Sequence, residues 1–392
     1  MSVSVPVAPV ASSTPDSPVE PSIESIDVPP QTVVDGFQAE LSRHTSRVRW
    51  VLLGTATLLV LAALTSAATG AVSISVPKAL AILGSVFGLT LPASAFGLDL
   101  AFTPQQEAVL LSIRLPRVLM GVVVGAGLAM SGAVLQGLFR NPLADPGLVG
   151  VSSGAALGAA FAIVLGAAAF FGPVSIALFA FAVGLAMTLI VYRIATRGRR
   201  TSVTTMLLAG IAVNALCGAG VGGLVLFADD GQLRDLTFWT LGSLGGATWA
   251  TLGVTTLLVG VALAASPWLA RSLDAMLLGE SEARHLGVRT ERVKKVSVTL
   301  AALAAAAATA AAGLIGFVGL VAPHILRLLL GPGHRALLPG AALMGALLLV
   351  SADLAARLVL QPIEVPIGIV TASIGAPFFL WLLLRERPDA FA

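Results

Sequence analysis

The residues of this chain that could do chemistry are few, and most of them are cationic. Arg114 and Arg117 stand three apart just before an uncharged stretch that ends at Phe139, and Arg357 follows Asp353 by four residues. Side chains spaced by four meet on one helix face, so Asp353 could hold Arg357 in place. A guanidinium stays charged at any physiological pH, and these arginines therefore mark a positive patch at a membrane surface. A second concentration of charge is RSLDAMLLGESEARHLGVRTERVKK, from Arg271 to Lys295. There Leu273, Met276 and Leu277 recur at helical spacing, Gly279 punctuates, and Glu280 to Leu286 forms a short amphipathic turn before Gly287. Such a segment suits a groove on a partner protein; a solvated loop is the alternative.

What is missing narrows the chemistry further. A nucleotide-binding P-loop needs glycines before a Lys-Ser or Lys-Thr pair, and the lysines here, Lys78, Lys294 and Lys295, have no such context. The chain is not expected to be an enzyme or to hydrolyse ATP. A transporter driven by protons or sodium places acids or histidines at mid-membrane, and the apolar stretches are nearly free of them. Energy for any transport must come from elsewhere. The single cysteine, Cys217, lies in an apolar stretch and is expected to pack. No metal site is expected, His285 reads as a surface residue, and His324 beside Pro323 reads as structural.

The elements that must position these groups are membrane helices. Of the 392 residues 57% are hydrophobic and only 11% charged, with 41 glycines; soluble domains carry roughly a quarter charged residues. Crossing ~30 Å of hydrocarbon takes about 20 apolar residues. Clean runs lie near 50–70, 118–139, 147–169, 172–192, 203–228, 248–270, 296–316 and 366–384, with less clean ones at 320–330 and 336–360. The expected fold is all-α, with ten transmembrane helices.

Residues 1–45 are of another kind, rich in proline and acids, and read as a disordered cytoplasmic tail. Residues 46–387 form the membrane domain, and 388–392 a short second tail. Arg43, Arg47 and Arg49 place the N-terminus in the cytoplasm. Ten crossings from that start leave only Lys78, Arg114, Arg117, Arg234 and Arg357, of 23 Lys and Arg, on the outside. The small net charge of +3 is thus a matter of topology, and nucleic acid is not an expected partner.

Glycine suggests both packing and symmetry. Gly121 with Gly125, Gly154 with Gly158, and Gly218 with Gly222 form small-residue ladders. The fifth span, which also holds Gly220 and Gly223, alternatively reads as irregular and gate-like. Gly147 to Gly150 and Gly316 to Gly319 share a Gly-x-Val-Gly pattern 169 residues apart. That offset carries spans two to five onto seven to ten, an inverted repeat of the kind found in many transporters.

Together, RLPRVLMG, LQGLFRNPLADPGLVGVSSGAALG, FWTLGSLGGATW, LLGESEARHLGV, GFVGLVAPHILRLLLGPGHRALLPGA and the stretch from ADLAARL through PIEVPIGIVTASIGAPFFLWLLLR resemble the permease subunits of iron-chelate, heme and cobalamin ABC importers, the FecCD-type family. The resemblance covers about residues 45–387, in order, and leaves out the proline-rich tail.

The resemblance implies a homodimer in the bacterial inner membrane with both termini cytoplasmic. Two separate ATPase subunits carry ATP and Mg, while this chain binds no cofactor. A periplasmic or lipid-anchored binding protein delivers the ligand. By the same resemblance Leu278, Gly279, Glu280, Ala283, Arg284, Leu286 and Gly287 meet the ATPase, and Arg114, Arg117 and Arg357 dock the binding protein. Thr201, Ser202, Val203, Thr204 and Thr205, with Gly218, Gly220 and Gly222, are gate candidates. The wording around Asn141 to Gly158 is most similar to heme permeases, so heme is the favoured cargo, ahead of ferric siderophores and cobalamin.

Overall fold

The computed structural model describes residues 31–89, 92, 100–172, 174–198 and 200–385. The expectations for residues 1–30 and 388–392 lie outside this set. The chain divides into two units, Met1–Thr45 and Ser46–Ala392. Helix α1 spans Gln31–Ala68, so residues 31–45, assigned to a disordered tail, are helical. The last two prolines of the tail are Pro29 and Pro30, and from there to Ala68 no residue lacks the amide that a helix needs.

Among the described residues the further α-helices of six residues or more are α2 (Val76–Val86), α3 (Pro104–Phe139), α4 (Val151–Val164), α5 (Val174–Ala195), α6 (Val203–Val225), α7 (Asp230–Leu241) and α8 (Trp249–Leu277). They are followed by α9 (Glu280–His285), α10 (Thr290–Ala312), α11 (Val318–Leu330), α12 (His334–Leu358) and α13 (Ile367–Arg385). A hairpin of two-residue strands, β1 (Thr196–Arg197) and β2 (Arg200–Thr201), joins α5 to α6. The all-α expectation therefore holds, and each of the ten expected spans coincides with a helix.

Among the described residues seven helices, α1, α3, α5, α6, α8, α10 and α12, are long and apolar enough to cross a membrane. The other three are shorter: α4 has 14 residues and α11 has 13, and α13 offers an apolar helix of Ile367–Leu382. Fourteen residues at ~1.5 Å each reach roughly 21 Å, less than the ~30 Å core. Length thus supports seven crossings, and the tenfold count rests on loop charges. Two helices, α2 and α7, were not expected, because each is too short to register as a span.

The shortened helices α4 and α11 occupy matching places in the expected repeat. Each begins after a left-handed residue, Gly150 with φ 85° and Phe317 with φ 66°. Paired interruptions of this kind are what inverted repeats produce.

Helix α3 is the centre of the bundle. From Val124 to Phe139 every residue is buried, as expected of a helix that is apolar all round. Its glycines are what let neighbours close in. A Cβ on Gly125 would run into the Gly345 carbonyl of α12, and one on Gly132 into the Gly319 carbonyl of α11. Near its start α3 widens into a π-turn over Leu110–Arg114. Pro116, two residues on, has no amide to donate back into this turn.

Candidate functional site

Polar residues gather at two ends of the bundle. At the first, the π-turn of α3 aims Arg114 at the end of α1, where the last carbonyls have no helical partners. Its guanidinium donates to Ala67 O at 2.9 Å, to Ala68 O at 2.7 Å and to Val72 O. Arg357, near the end of α12, donates to Thr69 O at 3.0 Å and Ser66 O at 3.2 Å. The two arginines together clamp the C-terminus of α1, and positive charge there also suits the helix dipole.

Asp353, 1% exposed, holds the clamp together. Arg357 Nε donates to one of its oxygens at 3.1 Å and Arg117 Nε to the other at 3.0 Å. Arg117 then reaches outward to Glu364, 2.9 Å away and 54% exposed. The pairing of Asp353 with Arg357 expected from their spacing is present. Sequence reasoning missed Arg117 as its second partner and missed Glu364, whose only signal was a lone acid following a basic patch. Arg114 is just 6% exposed; it faces α1 carbonyls rather than open space.

At the second end, α8 and α10 are joined through α9. Gly279 (φ 127°) and Gly287 (φ 82°) flank α9 in backbone regions that favour glycine. Leu277, Leu278 and Leu286 are exposed, Leu278 by 67%. The apolar face expected of Leu273, Met276 and Leu277 is corrected here. Leu273 and Met276 are core residues because α8 continues to Leu277. Ala283 is also fully buried, which removes it from any surface that could meet a partner.

Glu280 and Arg284 form an ion pair, and Arg284 Nε donates to the Thr290 hydroxyl at 3.1 Å. Burial works against the Glu280 charge, but hydrogen bonds from Lys294 and Arg284 hold its carboxyl below the ordinary range. Lys294 is 2% exposed on its side chain and pairs with Glu280 at 2.9 Å.

The gate candidates sit beside this cluster. Thr201 is buried, and Ser202 caps α6 by accepting the Thr205 amide at 3.2 Å. Val203 is half-buried and Thr204 exposed. The irregular backbone considered for the fifth span is not found: α6 is one helix through Gly218, Gly220 and Gly222. Gly220 lies against Leu157, while Gly218 and Gly222 have open space beside them. Their ladder therefore meets nothing among the described residues, unlike Gly121–Gly125 and Gly154–Gly158, which abut neighbouring helices.

Three half-buried links had no sequence signal at all. Asn214 of α6 donates to Gly147 O at 3.1 Å, Arg327 donates to Gln136 at 3.0 Å, and His334 shares Asp274 at 2.8 Å. His324 is buried and packs edge-on against Phe378, with ring centroids 6.2 Å apart. Cys217 is buried in the core.

The two polar ends are separated by α10, which has 23 residues and so measures roughly 34 Å. Its start holds Lys294, and the carbonyl of Ala312 at its end receives Ser243 N, next to the Gly242 carbonyl that accepts Ile367 N. A chain with charge clusters a bilayer apart fits a permease. The profile of the FecCD transport family matches residues 41–385. The chain belongs to this family.

It is 45% identical to the hemin transport system permease protein HmuU of Yersinia pestis, over 71% of this chain and 83% of that protein. It is 44% identical to the cobalamin import system permease protein BtuC of Halobacterium salinarum, over 76% and 80% respectively. A solved structure described as an inward-facing metal-chelate type ABC transporter superposes with a TM-score of 0.74 at 32% identity, covering 86% of this chain and 99% of that one. As a member of this family the chain is a multi-pass membrane permease subunit of an ABC transporter, not an enzyme.

Proposed function

We propose that the chain is the permease of an importer that moves heme across the bacterial inner membrane by alternating access, with both termini cytoplasmic. The observation that carries this reading is α9, a short helix between two glycine hinges that leaves Leu278 and Leu286 uncovered between two long spans. With no P-loop in the chain, that surface is the place for a separate ATPase to apply force. Ten crossings keep α9 and the basic loops on the cytoplasmic side. A second copy of the chain covers the open glycine face of α6, and the pathway runs between the two copies. A wall with few metal-binding groups lets a bulky chelate pass without being held. The similarity to a hemin permease favours heme. Similarity to cobalamin permeases keeps cobalamin, with ferric siderophores, as the second reading.

The test is uptake into proteoliposomes containing the permease, its ATPase and its binding protein, with heme, ferric siderophore and cobalamin in competition. Preferential heme uptake that requires ATP is expected. Uptake by the permease alone under a pH gradient would instead indicate a secondary transporter.

The arginine cluster is the docking surface for the binding protein in this reading. Arg117 and Glu364 provide its outer rim, with Arg114 and Arg357 contributing charge from beneath. Charge pairing of this type sets encounter rate more than affinity. Raising salt should slow association, and Arg117→Gln should slow it further while leaving the ATPase bound. An association rate indifferent to both, measured by surface plasmon resonance, would remove the docking role.

A further inference from the structure

The surface expected to meet the ATPase and the gate candidates lie far apart in sequence, yet one buried side chain joins them. The Lys294 ammonium has three N–H donors, and it has three acceptors. They are Glu280 Oε2 on α9 at 2.9 Å, Glu291 Oε1 one turn back on α10 at 3.0 Å, and the Thr201 carbonyl at 2.8 Å. The other oxygen of Glu291 accepts the Thr201 amide at 2.9 Å. Both backbone polar groups of Thr201 are therefore held by α10 side chains. Thr201 directly precedes Ser202, the cap of α6.

We propose that Lys294 is the positioning residue that carries displacement of α9 to the start of α6, so that motion at the ATPase contact reaches the gate. This rests on the importer reading and names the internal connection which that reading requires.

The physics favours a stiff link. Pulling an acceptor away from so deeply buried an ammonium is costly, because a lost partner leaves an uncompensated charge. Glu280 cannot move away from Lys294 at low cost, nor Lys294 from Thr201. The same face of α9 is held a second time, since Arg284 binds both Glu280 and the Thr290 hydroxyl of α10. Movement of α9 must then be shared by the first turn of α10 and by Thr201. The hairpin that carries Thr201 has strands of two residues, too short to resist alone. The Thr201 hydroxyl meets the Thr196 hydroxyl at 3.0 Å within that hairpin and donates to the Tyr192 hydroxyl of α5 at 3.5 Å, so its side chain ties the hairpin to the end of α5.

The experiment uses the full complex in proteoliposomes and reads the ATP hydrolysed per ligand imported, for heme, ferric siderophore and cobalamin. Lys294→Met removes the donors at similar length. Glu291→Gln weakens the hold on Thr201 from a residue outside the ATPase-facing set. In both variants the ratio should rise by at least about fivefold, the low end of coupling between linked sites. A merely structural staple would lower the melting temperature and leave the ratio unchanged. If Lys294→Met fails to assemble with the ATPase, Glu291→Gln decides alone. Assembled variants with the wild-type ratio overturn the relay while the importer reading stands. A wild-type complex that hydrolyses ATP but imports none of the three ligands overturns both.

Discussion

Asp353→Ala destabilises the protein by about 3–5 kcal/mol, the range expected when one partner of a buried ion pair is removed. The carboxylate is 1% exposed and answers two guanidiniums, with Arg117 at 2.9 Å and Arg357 at 3.1 Å. Without it both arginines keep their charge in a poorly solvated place, and Arg357 loses the group that orients it toward the end of α1. Glu364→Gln is the control. That carboxylate is 54% exposed, and an exposed pair is worth about 1 kcal/mol or less. Thermal melting of the detergent-purified chain should show a large fall for the first variant and little for the second. Equal melting temperatures would mean that the buried carboxylate is not the keystone of the cluster.

The second large effect is expected at Gly125. A leucine there would drive its Cβ into the backbone of Gly345 and Ala346, and neither α3 nor α12 can retreat without breaking other packing in the core. Overpacking commonly costs ~1–3 kcal/mol and sometimes more. Backbone against backbone belongs at the upper end, because no rotamer relieves it. Gly218→Leu makes the informative comparison, since among the described residues nothing lies within 4 Å of a Cβ at that site. It should leave folding of the isolated chain intact and impair association with a second copy, read as the oligomer's mass in detergent. If both variants melt alike, the close approach of α3 and α12 is not a determinant of stability.

These expectations show where sequence was enough. Asp353 and Arg357 could be paired from the sequence because both lie on one helix four residues apart, and helix geometry brings such residues together. The spans were legible for a similar reason: lipid demands a run of apolar residues, and a run is a local property. The division of the chain between residues 45 and 46 falls where it was expected, but proline content was extended past Pro30 into residues that can form a helix. The shortened helix α4 was harder, since it stops at Val164 before its apolar stretch does, whereas α11 fills the short run at 320–330.

The site itself was only half visible. Arg114 was recognised as a cation but not as a cap, because its acceptors Ala67 and Ala68 are 47 and 46 residues away. Glu280 and Thr201 were each singled out, yet nothing in their spacing joined them through Lys294, which is 93 residues from Thr201. Arg117 and Asp353 stand 236 residues apart. The amino-acid sequence alone determined the solvent this protein lives in, the number and place of its apolar segments, and the lack of its own nucleotide-binding loop. Only the tertiary structure decided which charges are neutralised and which helices are mechanically joined. The reason is physical: burial and charge pairing depend on what surrounds a group in space, and helices packed side by side bring together residues whose separation along the chain carries no record of the contact.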